Sequence, residues 1–181
     1  MHIRPAATTL ATLALTLAPA LAAAQGLYGS TVEGSLLFPT ADDVAVGPVS
    51  ATVGPDVEFP AGAFLPARNF AIDIGDAELV YLTGESTIYG TADYNGFRFV
   101  FSGAPAILSV SLHPSSTFAP VSFAWTADSL SFDLSGLSVT QDDRLAFSVS
   151  TVPELPTAGL LAAGIWALGA VGARRRRSAA G

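Results

Sequence analysis

The sequence predicts an all-β fold: an antiparallel β-sandwich, jelly-roll-like, flanked by an N-terminal signal-peptide helix and a C-terminal transmembrane helix. Three observations lead to it. Between residues 25 and 151 apolar side chains recur mainly at every second position, the period of a strand with one buried face. Gly, Pro, Asp and Ser clusters interrupt those runs at a spacing of roughly 8–12 residues, and no helical period intervenes. Both ends abandon the alternation for continuous apolar stretches beside arginine.

At the N-terminal end Arg4 supplies a positive start, residues 6–21 a mostly apolar stretch, and Ala22-Ala23-Ala24 the small-residue exit that a signal peptidase requires. Cleavage after Ala24, with Ala22 and Ala24 as the small residues at the cut, makes residues 1–24 a signal peptide and Gln25 the first mature residue. The alternative, an N-terminal anchor, is opposed by the shortness of the stretch, its threonines and Pro19.

Setting aside this leader and everything from Pro153 leaves 128 residues, one domain's worth and enough to bury a core. That stretch holds Arg68, Arg98 and Arg144 against fourteen acids, a net charge of −11, and the chain has no lysine. Nucleic acid is thereby excluded as a partner, because phosphate contacts are made by Lys and Arg. An acidic surface keeps an exported domain soluble and self-repelling. With no cysteine there are no disulfides, thiolate metal sites or thiol nucleophiles, so packing alone must stabilise the domain outside the cell.

Along the domain, residues 26–67 are rich in Gly and Pro and are expected to supply edge strands and long loops, including Asp56-Val57-Glu58-Phe59 between two prolines. Regular alternation follows in Phe70, Ile72 and Ile74; Leu108, Val110 and Leu112; Val121, Phe123 and Trp125; Leu130, Phe132 and Leu134; and Leu145, Phe147 and Val149. Gly75-Asp76, residues 103–105, residues 113–116 and residues 141–143 are the turns between them. Asn95-Gly96 predicts a two-residue type I′ hairpin, with Tyr94 facing Phe97, Asp93 paired to Arg98, and Phe97, Phe99 and Phe101 on one apolar side.

Catalysis is not expected. His113 is the one histidine of the mature domain, sits before Pro114 in a predicted turn, and has no Gly-x-Ser-x-Gly elbow to serve. Fourteen scattered acids do not identify a glycosidase pair, and the phosphate-cradling glycine motifs are missing. No cofactor or metal site is predicted. The nearest approach to one is Asp73, Asp76 and Glu78 around Gly75, with Asp42-Asp43 and Asp142-Asp143 as loop pairs. Such hard oxygens suit Ca²⁺, but their spacing is not that of an EF-hand, and adjacent aspartates at turns serve as caps. Tyr28, Tyr81, Tyr89 and Trp125 are the rings available as sugar platforms; the alternation puts Trp125 in the core and leaves Tyr89 as the exposed ring.

Residues 152–177 have a different character. Val152-Pro153-Glu154, then Leu155 and Pro156, open an uncharged run, 155–173, that is closed by Arg174, Arg175, Arg176 and Arg177. As a helix its 19 residues cover about 28 Å, close to the hydrocarbon thickness of a bilayer. A chain without charges there can satisfy its backbone internally in lipid. Arginines beside a span stop transfer and stay in the cytoplasm, which places the domain across the inner membrane.

This combination resembles the PEP-CTERM sorting segment of Gram-negative bacteria, in which a short Val-Pro-Glu motif, a spanning helix and an arginine cluster follow one another. In that family a second proline directly follows the glutamate; here Leu155 intervenes before Pro156, which leaves the processing point open. The resemblance implies that exosortase, a membrane protease-transpeptidase, recognises Pro153, Glu154 and Pro156. It also implies that anchoring in the inner membrane is transient, and that the protein is secreted to the cell surface or extracellular matrix, in the setting of biofilm or floc formation. A plain C-terminal membrane anchor is the alternative. The middle is similar, more loosely, to β-rich domains found ahead of such tails, through residues 96–101 and 128–134. The expected function is that of a non-enzymatic, structural or adhesive surface protein with signal peptidase and exosortase as processing partners. The alternative is a carbohydrate-binding module of the exopolysaccharide matrix.

Overall fold

The computed structural model describes residues 26–152. The expectations for the leader and its cut at Ala22 and Ala24, for Pro153, Glu154 and Pro156, for the span 155–173 and for Arg174 to Arg177 lie outside the described residues. Within them every regular element is a strand: β1 (Thr31–Leu37), β2 (Val44–Thr52), β3 (Phe70–Ile74), β4 (Glu78–Thr83), β5 (Thr87–Ile88), β6 (Gly96–Ser102), β7 (Ile107–Leu112), β8 (Ser122–Trp125), β9 (Ser129–Asp133), β10 (Ser138–Val139) and β11 (Arg144–Thr151). No helix occurs among the described residues, and so none there is long and apolar enough to cross a membrane.

All pairings are antiparallel. A five-stranded sheet runs β2-β1-β6-β9-β8, a four-stranded sheet β3-β4-β11-β7, and β10-β5 form a short ribbon. The pairings are nested: β4 pairs with β11 in one sheet while β6 pairs with β9, inside that interval of the chain, in the other.

The two large sheets share one core. Period-two alternation turns Phe97, Phe99 and Phe101 of β6, Leu130 and Phe132 of β9, Phe70, Ile72 and Ile74 of β3, and Leu145, Phe147 and Val149 of β11 inward, as the sequence predicts. Rings from opposite sheets meet directly, Phe97 on Phe70 at 5.3 Å between centroids, Phe97 on Tyr81 at 5.9 Å and Phe132 on Phe147 at 5.4 Å. Burial of each such ring contributes about 1.5–3 kcal/mol, so a cysteine-free domain can be held by these contacts.

Four expectations are corrected. The Asn95-Gly96 hairpin does not form: no strand precedes Gly96, and β6 begins there as the middle strand of five, Phe97 facing Leu36 on one side and Phe132 on the other. Arg98 lies opposite Ser35 and Ser131 and makes no ion pair with Asp93 among the described residues. Glycine is needed at 96 for close approach, since a Cβ would stand 1.9 Å from the Phe132 carbonyl oxygen. Asn95 is held by Asp133, whose Oδ1 accepts its N–H at 2.9 Å. An all-aromatic inner face gains more from two flanking strands than from one local partner.

In β7, Ile107 and Val110 are buried while Leu108 and Leu112 are exposed. A register shift opposite Ser150 and Thr151 makes Leu108 an extra residue, and a bulge of this kind breaks the period of two. In β8, Phe123 packs on Phe147 at 5.2 Å and stacks on Trp125 at 6.2 Å, so Trp125 keeps the inward side. It is nevertheless 42% exposed, because β8 is the outermost strand. Residues 26–67 give more than edges and loops: β1 lies inside its sheet, and Phe59 and Phe64 are core rings, Phe59 exchanging both backbone hydrogen bonds with Ile72.

Candidate functional site

Beside the β10-β5 ribbon lies a cleft of about 120 Å³. Its floor is the face of β4 and β6 at Tyr81 and Phe97, one wall is the segment of Leu65, Arg68 and Asn69, and the other is residues 83–90. The walls are tied down by backbone. Asn69 and Gly84 bond reciprocally, the Asn69 amide donating to the Gly84 carbonyl at 3.1 Å and the Gly84 N–H to the Asn69 carbonyl at 2.6 Å. Asn95 Nδ2 donates to the Gly90 carbonyl at 2.9 Å, and the Tyr89 N–H to the Leu137 carbonyl at 2.9 Å.

At the mouth, Arg68 Nη1 reaches Glu85 Oε1 at 3.4 Å and Thr87 Oγ1 at 3.0 Å. Exposed ion pairs of this length add little to stability. Ile88, 73% exposed, stands beside it on β5. In the floor the hydroxyls of Tyr81 and Tyr89 are hydrogen-bonded to each other. Burial holds both phenols above the ordinary tyrosine range, so they stay protonated donors at any physiological pH.

The structure brings Tyr81 and Tyr89 together in this cleft and leaves the other two rings apart. Tyr89, expected exposed, is half-buried against the core, and Trp125, expected in the core, keeps the inward side of β8 but is exposed at the sheet edge. Tyr28 is exposed near the start of β1. Arg68, Asn69, Glu85, Thr87 and Ile88 were not recognisable as a site. The one available signal was Arg68 itself, one of three cations in an acidic domain.

Four of the acidic groups considered as calcium ligands accept bonds from within the fold. Asp76 Oδ1 accepts the Tyr28 N–H at 3.3 Å, and Asp43 Oδ2 accepts the Thr40 hydroxyl at 2.7 Å. Asp143 accepts the Thr140 N–H at 2.7 Å and hydroxyl at 2.9 Å, and the Thr117 hydroxyl at 2.8 Å; these bonds hold its carboxyl below the usual carboxylate range. Glu78 receives Arg144 Nη2 at 2.7 Å. No cluster of three metal-binding side chains occurs among the described residues.

Around His113 the chain does assemble a serine and an acid. Ser115 Oγ lies 2.8 Å and Glu78 Oε1 4.0 Å from the ring, but both contacts fall on Nδ1, which also accepts the Ser115 N–H at 3.1 Å. A nucleophile relay needs the two partners on opposite ring nitrogens, so this cluster is a turn cap. No family model, curated protein or solved structure matches the chain.

Proposed function

We propose that this is an exported, non-enzymatic protein of the cell surface or extracellular matrix, structural or adhesive in role, delivered by its 152–177 segment. The observation that carries this reading is the order of Pro153-Glu154, nineteen uncharged residues and four arginines. A span with cytoplasmic arginines leaves the β-domain outside, where exosortase acts at the Pro-Glu motif and releases the domain to the surface. The domain itself is a β-sandwich with jelly-roll-like winding, a reading supported by the core shared between two sheets and by the nested β4-β11 and β6-β9 pairings.

Mass spectrometry of the protein from cells with and without exosortase tests the delivery route. The expected result is loss of the Arg174–Arg177 peptide only where exosortase is present; an intact tail in both refutes it.

A second reading, binding of matrix carbohydrate, is favoured by the cleft at Arg68, Glu85 and the tyrosine pair, a concave site with convergent polar groups. The two are compatible, since an adhesive protein needs something to hold.

A further inference from the structure

We infer that the cleft beside β5 binds one neutral pyranose unit bearing an unsubstituted vicinal diol. This site deepens the carbohydrate-binding reading above and rests on it. Size comes first. Drug-sized ligands occupy clefts of roughly 300–1,000 Å³, whereas this one offers about 120 Å³ with an open mouth, room for a single small ring and not for a length of chain.

The rim then selects chemistry. Arg68 spends Nη1 on Glu85 and Thr87, and Glu85 answers through Oε1 alone, so Arg68 Nε and Nη2 and Glu85 Oε2 have no hydrogen-bond partner among the described residues. Spare donors beside a spare acceptor match two adjacent hydroxyls, one accepting from the guanidinium and the other donating to the carboxylate, both bonds charge-assisted. A charged ligand fits less well. An anion would meet Glu85 in a domain of net charge −11, and a cation would have to displace Arg68.

The remaining wall suits the C–H face of a sugar ring. Ile88 is 73% exposed next to the half-buried ring of Tyr89, with Leu65 across the cleft. One of the Tyr81 and Tyr89 hydroxyls donates to the other, and the accepting hydroxyl keeps its own proton to donate. Because Asn69, Asn95 and the β10-β5 ribbon already fix both walls, little ordering cost falls on binding.

The test uses the full chain in a detergent without a sugar headgroup. Saturation-transfer NMR is recorded with methyl glucopyranoside, galactopyranoside and mannopyranoside, on the wild type and on Glu85→Gln, Arg68→Met and Trp125→Ala. We expect transfer to at least one probe, weakened roughly tenfold or more by either cleft substitution, as loss of a charge-assisted bond implies, and unchanged by Trp125→Ala. Binding that survives Glu85→Gln and Arg68→Met but is lost in Trp125→Ala overturns the site and leaves carbohydrate binding standing. No transfer to any probe, together with no retention on polysaccharide, overturns both. Should a cleft variant misfold, modification of Arg68 by phenylglyoxal in the wild type decides: a bound probe should slow it, and an unaltered rate refutes the assignment.

Discussion

At the scale of single residues, Gly96 shows how one position can mislead and still be indispensable. Asn-Gly is a turn signature because glycine tolerates positive φ, yet here glycine serves the close passage of β9, whose Phe132 carbonyl would stand 1.9 Å from any Cβ. Gly96→Ala should therefore destabilise the domain by about 2–3 kcal/mol in urea denaturation. Gly54→Ala, where the nearest atom is 3.9 Å away, should change stability by less than about 0.5 kcal/mol. The tyrosines give a second measurement. Burial raises Tyr81 and Tyr89, and burial pushes Tyr94 up to about 12, so the folded state favours their neutral forms. Their contribution to stability is complete below the ordinary phenol value of about 10 and is lost as pH rises through the folded values. In a spectrophotometric titration the tyrosinate absorbance of these three should develop at higher pH in the folded domain than in the urea-unfolded chain; coincident curves would refute it.

Among the elements, the strands legible in the sequence are those covered on both flanks. β9 and β11 lie inside their sheets, and β3, at the edge of its sheet, is covered on its outer side by the Phe59 bridge to Ile72; in all three the inner apolar residues meet the opposite sheet. β7 and β8 lie at sheet edges, where a bulge or a missing neighbour changes exposure without changing the residue pattern, so Leu108 and Trp125 could not be placed from the chain alone. The turn between β10 and β11 was legible as a stop, but its chemistry was not. Asp143 gathers Thr140 and Thr117, and its lowered pKa means stability present above the ordinary carboxylate range and lost as pH falls through the folded value. Asp143→Asn should lower the melting temperature at pH 7 and flatten its acid-side decline; an unchanged decline would assign the acid sensitivity elsewhere.

The whole molecule depends on rings that join the two sheets. Phe97 touches Phe64, Phe70, Tyr81, Phe99 and Phe132, so Phe97→Ala opens a cavity in the centre of the core. It should cost about 3–5 kcal/mol in chemical denaturation. Trp125→Ala, at the exposed margin of β8, should cost less than half as much.

Composition and order along the chain determine the character of the protein by themselves. Alternation makes strands, the missing cysteines make packing the sole source of stability, fourteen acids against three arginines give residues 25–152 a net charge of −11, and the Pro-Glu, span and arginine series sets the expectation of export. Those are local or additive properties, and the sequence states them directly. Only the tertiary structure decided which strands lie side by side, which rings stay at the margin, and that Arg68, Glu85 and Tyr89 line one cleft with Tyr81. Period two tells a residue's face but carries no information on its neighbours across the sheet, and a site built from loops and five different strands exists only once those neighbours are chosen.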